Sequence, residues 1–396
     1  MPVTTTIQEQ LQQAFPTTVE RRRDFHRHPE LGFQETRTAK RVAELLTSFD
    51  LDVIKTGVAR TGVVGLLKGK HPGKTVLLRA DMDGLPVQET SKLEYASVNP
   101  GVMHACGHDA HIAMLLAVAE TLSKNRDAIH GQIKFMFQPA EEGPGGAQPM
   151  IDAGLLKDPP VDAALAFHVW NNLPVGQIGV RSGPCFASTD QIEITVVGRS
   201  GHGAMPHLSV DAIVIAAQVI TGLQAIISRQ VSPIDSAVIT IGTIEGGDRH
   251  NIIPERVHMT GTVRTFRKEL RETMPARIEH VVKGITEAMG GTYEYVYEHG
   301  YPVTVNDETI CETVRRAAGR VVGPENVIRQ DPTMGAEDMS YVLEQVPGCY
   351  FMVGSANATQ GLSNPHHHHH FDIDEQALAW GARVMAEAAL EFLNQD

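Results

Sequence analysis

The chain carries two hydrophobic patterns, one of helical period and one of buried runs. Residues 36–49 (TRTAKRVAELLTSF) place Ala39, Val42, Ala43 and Leu46 at helical spacing, which predicts a helix. Residues 75–86 (TVLLRADMDGLP) read as a buried strand running into a turn, and 110–124 (AHIAMLLAVAETLSK) as a helix apolar over most of its surface. Residues 132–143 (QIKFMFQPAEEG) predict a second strand ending in a polar loop, with Pro139 and Gly143 as breakers. Residues 161–174 (VDAALAFHVWNNLP) repeat that design. Strands alternating with helices predict an α/β sheet with helices on its faces.

Near residue 185 the pattern changes. Residues 191–207 begin as an alternating strand with Ile192, Ile194 and Val196 on one face, and 211–227 predict a helix. Residues 236–247 and 255–266 read as paired strands, 277–289 as a helix and 292–300 as a further strand. Residues 347–356 return to the buried-strand style, and 377–393 close with a helix. The expectation is a discontinuous first domain, residues 1–184 and 301–396, interrupted by a smaller α+β domain of residues 185–300.

Composition narrows the partners. The 396 residues leave room for two or three domains, and 42% hydrophobic with 20% charged residues is an ordinary globular balance. A formal net charge of −13 argues against nucleic acid or an anionic membrane as partner. The basic run Arg21-Arg22-Arg23 is followed by Asp24 and is expected to be a solvated helix face. No stretch is expected to span a membrane, for which about 18–20 apolar residues are needed. The N-terminal residues are polar and amphipathic, without a signal peptide's apolar core, so a cytoplasmic protein is expected. Cys106, Cys185, Cys311 and Cys349 are widely spaced, and isolated reduced thiols are expected.

Polar residues gather where the apolar strands are predicted to stop: Asp81 and Asp83 after VLLRA, Glu141 and Glu142 after KFMFQPA, and His168 after ALAF. The segment MHACGHDAH (103–111) adds His104, Cys106, His108, Asp109 and His111 just before a helix. A lone histidine after a strand is more often a hydrogen-bonded core or surface residue, a Glu-Glu pair is usually solvated, and one Cys-x-His means little. Together they fit one site at the carboxyl ends of the strands. The segment 364–375, NPHHHHHFDIDE, raises a separate question. Five consecutive histidines usually mark a purification tag, yet this run is internal. It reads equally as an engineered scar, a solvated tract or part of a metal site.

Thiolate and imidazole suit Zn²⁺, and Mn²⁺, Co²⁺ or Ni²⁺ where oxygen donors join. One cysteine, one glutamate and three histidines exceed a single open tetrahedral site and suit two metals bridged by the thiolate or a water. Of Glu141 and Glu142, one would bind metal and the other stay free as general base. Asp83 would orient a ligand histidine from behind. The sequence has no H-E-x-x-H, P-C-x-x-C or G-x-S-x-G, and EGPGGA (142–147) lacks the Lys-Ser/Thr of a phosphate loop.

HRHPELGFQE (26–35), RADMDGLP (79–86), MHACGHDAH (103–111), QPAEEGPGGA (138–147), FHVW (167–170), GRSGHGAMPH (198–207) and GAEDMSY (335–341) together resemble the M20 metallopeptidase family. The likeness is to its amidohydrolase branch, with hippurate hydrolase, N-acyl-L-amino-acid amidohydrolases and auxin-conjugate hydrolases, and spans nearly the whole chain. It implies an α/β dinuclear-metal hydrolase domain with a mixed sheet flanked by helices, interrupted by an α+β lid and dimerisation domain. It implies Cys106, His108, Glu142 and His168 as metal ligands and Glu141 as general base. The family's fifth ligand is a histidine four residues before the aromatic of an F-D-x-D-E-like segment, which is His367 here. His366 and His368 remain alternatives within the run, and His369 departs from the proline that relatives often carry.

By analogy His202 would reach the partner's active site to stabilise the oxyanion, and Asn251 and Arg264 would hold substrate, the guanidinium suiting a carboxylate. The implied activity is hydrolysis of N-acyl amino acids to a carboxylic acid and a free amino acid, with two divalent ions per subunit. The implied assembly is a homodimer or higher homo-oligomer. A dipeptidase or carboxypeptidase of the same fold is the nearest alternative. A non-catalytic metal-binding protein using the histidine tract is the other.

Overall fold

A computed structural model describes residues 3–395. The chain forms two compact units. The first comprises the chain up to Gly183, Val305–Asp331 and the residues from Tyr341 onward; the second comprises Pro184–Thr304 and Pro332–Ser340. Residues 332–340, which the sequence pattern leaves with the first domain, thus belong to the second unit.

The first unit is built on an eight-stranded mixed sheet. Its strands are β1 (Val53–Val58), β2 (Gly62–Lys68), β3 (His71–Asp81), β4 (His130–Gln138), β5 (Ala163–Pro174), β6 (Ile178–Val180), Val327–Arg329 and Gly348–Ala356. Across the sheet the order is β1, β2, β4, β3, β5, Gly348–Ala356, β6, Val327–Arg329. The four central strands run parallel: β3 pairs with β4 and β5, and β5 with Gly348–Ala356. Strands buried on both faces need mostly apolar side chains, which accounts for runs such as VLLRA and KFMF, whose charged Arg79 and Lys134 are buried on hydrogen bonds to Gln138, Asp81 and the Leu155 carbonyl.

Four helices lead the unit: α1 (Val3–Gln13), α2 (Phe15–Arg27), α3 (Thr36–Ser48) and α4 (His108–Ser123). α3 buries Val42 and Leu46 of the predicted stripe, with Thr38 beside them, while Ala39 and Ala43 are only partly buried. α4 is buried almost all round, as is the last helix, Gln376–Leu393, and the two pack on each other and on the central strands. This burial explains why α4 shows no polar face, whereas the last helix keeps a stripe of Arg383, Glu387 and Glu391 bonded to Gln8, Arg320 and Arg316.

Three expectations are corrected in this unit. β5 does not stop before His168 but runs on to Pro174, because Asn171, inside it, has its polar groups satisfied by Ser355 Oγ and the Asn364 and Asp372 carbonyls. Arg22 is not on a solvated face. It is fully buried and bonded to Asp109 (2.8 Å), Asp372 (2.6 Å) and Glu375 (3.2 Å). Cys311 and Cys349 are not isolated, since their buried Sγ atoms lie 3.2 Å apart as free thiols.

The second unit carries a four-stranded antiparallel sheet, ordered Ala237–Glu245, Arg256–Thr265, Asp190–Val197, Thr292–His299. Ile192, Ile194 and Val196 share the face covered by helices Ala212–Ala225 and Lys268–Ala288, and with Val219, Leu223, Met274 and Ile278 they form a core of this unit's own. Over Ala212–Gln230 the first helix and its continuing turn are long and apolar enough to cross a membrane, with 19 residues of mean hydropathy 1.6. This corrects the expectation that no stretch qualifies. Gln218, Thr221 and Gln224 break the apolar run without lowering its average far, and one face, with Ile215, Val219 and Leu223, is buried in the core. Leu208, Ile213 and Val214 remain exposed, at 62%, 45% and 46%.

Candidate metal centre

The site of the first unit is assembled at the carboxyl ends of β3 and β4, along β5, at the start of α4 and in the histidine loop. β3 ends at Asp81, so Asp83 stands two positions into the turn, fully buried. Its Oδ1 accepts from the Glu141 amide and its Oδ2 from the Glu142 amide, both at 3.0 Å. Asp83 therefore fixes the backbone of the two glutamates, and its own carbonyl accepts from His108 Nδ1 at 2.9 Å. Glu35 holds the same loop from the other side: its Oε1 accepts from the Ala140 amide (2.8 Å) and its Oε2 from the Thr61 hydroxyl (2.6 Å). Burial pushes the Glu35 carboxyl up.

Gly107 sets the start of α4. It caps the helix at φ 94°, and a Cβ there would sit 2.4 Å from Val169 Cγ2. Only glycine takes that conformation in that space, and it puts Cys106 and His108 on either side of the turn.

Both ring orientations follow from carbonyl caps. A carbonyl only accepts, so His108 Nδ1 donates to Asp83, and His168 Nδ1 donates to Val169 O at 2.5 Å. Each ring therefore presents Nε2, unprotonated in its neutral form, to the cluster, as metal-bound histidines do. His108 Nε2 is buried without a hydrogen-bond partner, 3.6 Å from Asp81 and 4.0 Å from Glu141. His168 Nε2 lies 3.4 Å from Cys106 Sγ. His367, at φ 66°, sets Nε2 3.0 Å from Glu142 Oε1.

The donor groupings there, each with its ligand atoms within 4.8 Å, include Cys106–His108–His168, Cys106–Glu142–His367, His108–Glu141–Glu142 and Asp81–His108–His111. Cys106 belongs to two of them. Burial and the Glu142 and Glu141 carboxylates push the Cys106 thiol up. Asp81 and Asp83, against the opposing effect of burial, push His108 up to about 10. Burial, followed by the neighbouring His111 and His366 rings, holds His168 well below its ordinary value. A thiol, imidazoles and carboxylates gathered in one cluster are the donor set of divalent transition ions, and the residues fit a dinuclear centre.

Behind the donors stands a pair whose role the sequence reading leaves open. Asp81 accepts from His111 Nδ1 at 2.6 Å and from Arg79 at 2.6 Å, and His111 Nε2 accepts from the Val169 amide at 2.9 Å. This chain ties the end of β3 to β5 beside His168. Although burial opposes it, Arg79, His108 and His111 hold the Asp81 carboxyl well below the usual range. The sequence signal was confined to the i, i+3 spacing of His108 and His111, which puts both rings on one helix face without revealing the bond to Asp81.

His366 also comes near, with Nδ1 3.9 Å from Cys106 Sγ and its ring stacked on Trp170. His104, by contrast, stays out of the cluster, fully buried with neither ring nitrogen bonded, and burial lowers it to about 4. His202, Asn251 and Arg264 belong to the second unit. His202 is exposed, its Nδ1 accepting from the Ala204 amide at 3.0 Å. Asn251 adjoins it, its carbonyl accepting from Gly203 at 2.8 Å. Arg264 is half-buried on strand Arg256–Thr265, its guanidinium bonded to Thr262 Oγ1 and the Val263 carbonyl. Burial lowers its pKa.

A mixed α/β sheet with such a cluster at its strand ends defines a dinuclear metallohydrolase architecture. The model of peptidase family M20/M25/M40 matches residues 77–391, and the chain belongs to that family. N-acyl-L-amino acid amidohydrolase of Geobacillus stearothermophilus is 48% identical over 287 residues, 72% of this chain and 76% of that protein. Thermostable carboxypeptidase 2 of Saccharolobus solfataricus is 41% identical over 377 residues, 94% of this chain and 95% of that protein. The crystal structure of the Bacillus subtilis YXEP protein, a dinuclear metal-binding peptidase of family M20, matches with a TM-score of 0.86 at 34% identity. It covers 97% of this chain and 100% of that one.

Proposed function

We propose that this chain hydrolyses the amide bond of N-acyl amino acids, hippurate-like or N-acetylated, to a carboxylic acid and a free amino acid. One observation carries the reading. Cys106, His108, Glu142, His168 and His367 fall into overlapping donor groupings in which Cys106, His108 and His168 are buried, Glu142 is half-buried and His367 is exposed, with a further carboxylate, Glu141, among them. The relative named N-acyl-L-amino acid amidohydrolase supports the substrate class. Those five residues would hold two divalent ions, Zn²⁺ or Mn²⁺, with Co²⁺ or Ni²⁺ also suited. Bound there, the ions would supply Lewis acidity at the amide carbonyl and acidify water.

Glu141 takes the proton from the attacking water and delivers it to the leaving amine nitrogen. Asp83 keeps the Glu141 backbone in place without touching substrate. His202 of the partner subunit stabilises the oxyanion, and Asn251 and Arg264 hold the amino-acid carboxylate. The exposed Leu208, Ile213 and Val214 of the second unit support a homodimer. The four free thiols support a reducing, cytoplasmic setting.

The test is release of amino acid from N-acetyl and N-benzoyl amino acids by metal-stripped protein refilled with each ion, beside Glu141→Gln. Metal-dependent release that Glu141→Gln abolishes is expected. No release with any ion, despite full binding, would overturn the reading. The relative named thermostable carboxypeptidase 2 favours a second reading, peptide hydrolysis on the same fold. Faster turnover of peptides than of N-acyl amino acids in the same panel would select it.

A further inference from the structure

The histidine run divides into two parts. His366 and His367 lie against Cys106 and Glu142. His368, His369 and His370 have no part in the reaction proposed above. They offer three ring nitrogens within 4.8 Å of one another. The rings of His368 and His369 lie 4.2 Å apart at 27°, and those of His369 and His370 4.5 Å apart, so consecutive side chains gather instead of splaying. His369 and His370 are exposed and His368 is half-buried.

The backbone beneath them is pinned. Thr90 N donates to His369 O at 3.2 Å, Asn364 Nδ2 to His370 O at 2.8 Å, and Phe371 N to His368 O at 2.8 Å, with Phe371 itself fully buried. A ligand therefore meets a turn already ordered, and little backbone entropy is left to lose on binding. The His370 amide approaches His368 Nδ1 at 3.1 Å. An ion would take that lone pair and leave an exposed amide to water. Three imidazoles with the remaining positions open to water suit Zn²⁺, Ni²⁺ or Cu²⁺. Mg²⁺ and Ca²⁺ require oxygen donors.

We propose that His368, His369 and His370 form an additional, solvent-facing transition-metal site that fills independently of the buried cluster. The test counts ions on the full-length chain, stripped with chelator and dialysed against Ni²⁺ at a free concentration that saturates the wild type. The wild type is expected to hold one more Ni²⁺ per chain than His368→Gln/His369→Gln/His370→Gln. The variant Cys106→Ala/His168→Ala, which lacks inner donors, is expected to keep that same ion. His369→Gln/His370→Gln changes only exposed side chains, so its fold is not in question, and it is expected to lose the same ion. With Mg²⁺ the difference is expected to vanish; a difference that persists would overturn the ligand class. Equal Ni²⁺ counts in the wild type and both histidine variants would overturn the site. The count is a difference between chains sharing the inner donors, so it holds whether or not the proposed hydrolysis is found.

Discussion

Asp83 and Glu141 do different work within one hydrogen-bonded turn. Glu141→Gln keeps the shape and removes the proposed base, so kcat is expected to fall by about 10²–10⁴-fold. Metal content, read by atomic absorption, is expected to stay unchanged. Asp83→Ala leaves the buried amides of Glu141 and Glu142 without their acceptors. It is expected to cost roughly 1–3 kcal/mol in urea unfolding and to weaken metal binding about 10–100-fold in chelator competition.

His26 supplies a pH test. Its Nδ1 lies 2.8 Å from Asp109, whose carboxyl is held far below the usual range by Arg22 and His26 despite its burial. Burial opposes the His26 charge, but Asp109 and Glu89 raise its pKa to about 9. A pKa raised on folding stabilises below the unfolded value and loses that contribution as pH rises through the folded one. Stability is thus expected to decline from about pH 6.5 to pH 9, by up to roughly 3 kcal/mol. His26→Asn is expected to flatten that slope in unfolding measured across the range.

At the scale of elements, the alternation of strand and helix was legible because central parallel strands and sandwiched helices must be mostly apolar. The end of β5 was not, because only Ser355 and two distant carbonyls let Asn171 lie inside a strand. The second-unit helix begins at Lys268, not 277, since Pro275, a breaker by local rules, is accommodated inside it. That Cys106, His108 and the glutamates would gather in one cluster was readable from residue type and position. The His111–Asp81 relay was not, because its meaning depends on the Val169 amide across the sheet. Packing between α4 and Gln376–Leu393 gives a direct test. A Cβ at Gly381 would lie 2.3 Å from Met114 Sδ. Gly381→Ala is therefore expected to destabilise by about 1–3 kcal/mol in denaturant unfolding, and Met114→Ala to relieve part of that loss.

At the scale of the molecule, the two hydrophobic cores are separate, and the proposed donors all belong to the first unit. Ions that bind only the folded first unit stabilise that unit by mass action. Chelation is expected to speed hydrogen exchange in α4 and β5 while leaving exchange in Asp190–Val197 unchanged.

The donors are also spread along the chain, with Pro184–Thr304 between His168 and His367. A ribosome makes the chain from its amino end, and domains tend to fold as they emerge. The nascent protein therefore completes its second unit while the proposed centre still lacks His367. On that proposed ligand set the centre closes only once the histidine loop has been made, so premature termination anywhere before that loop is expected to yield an inert product.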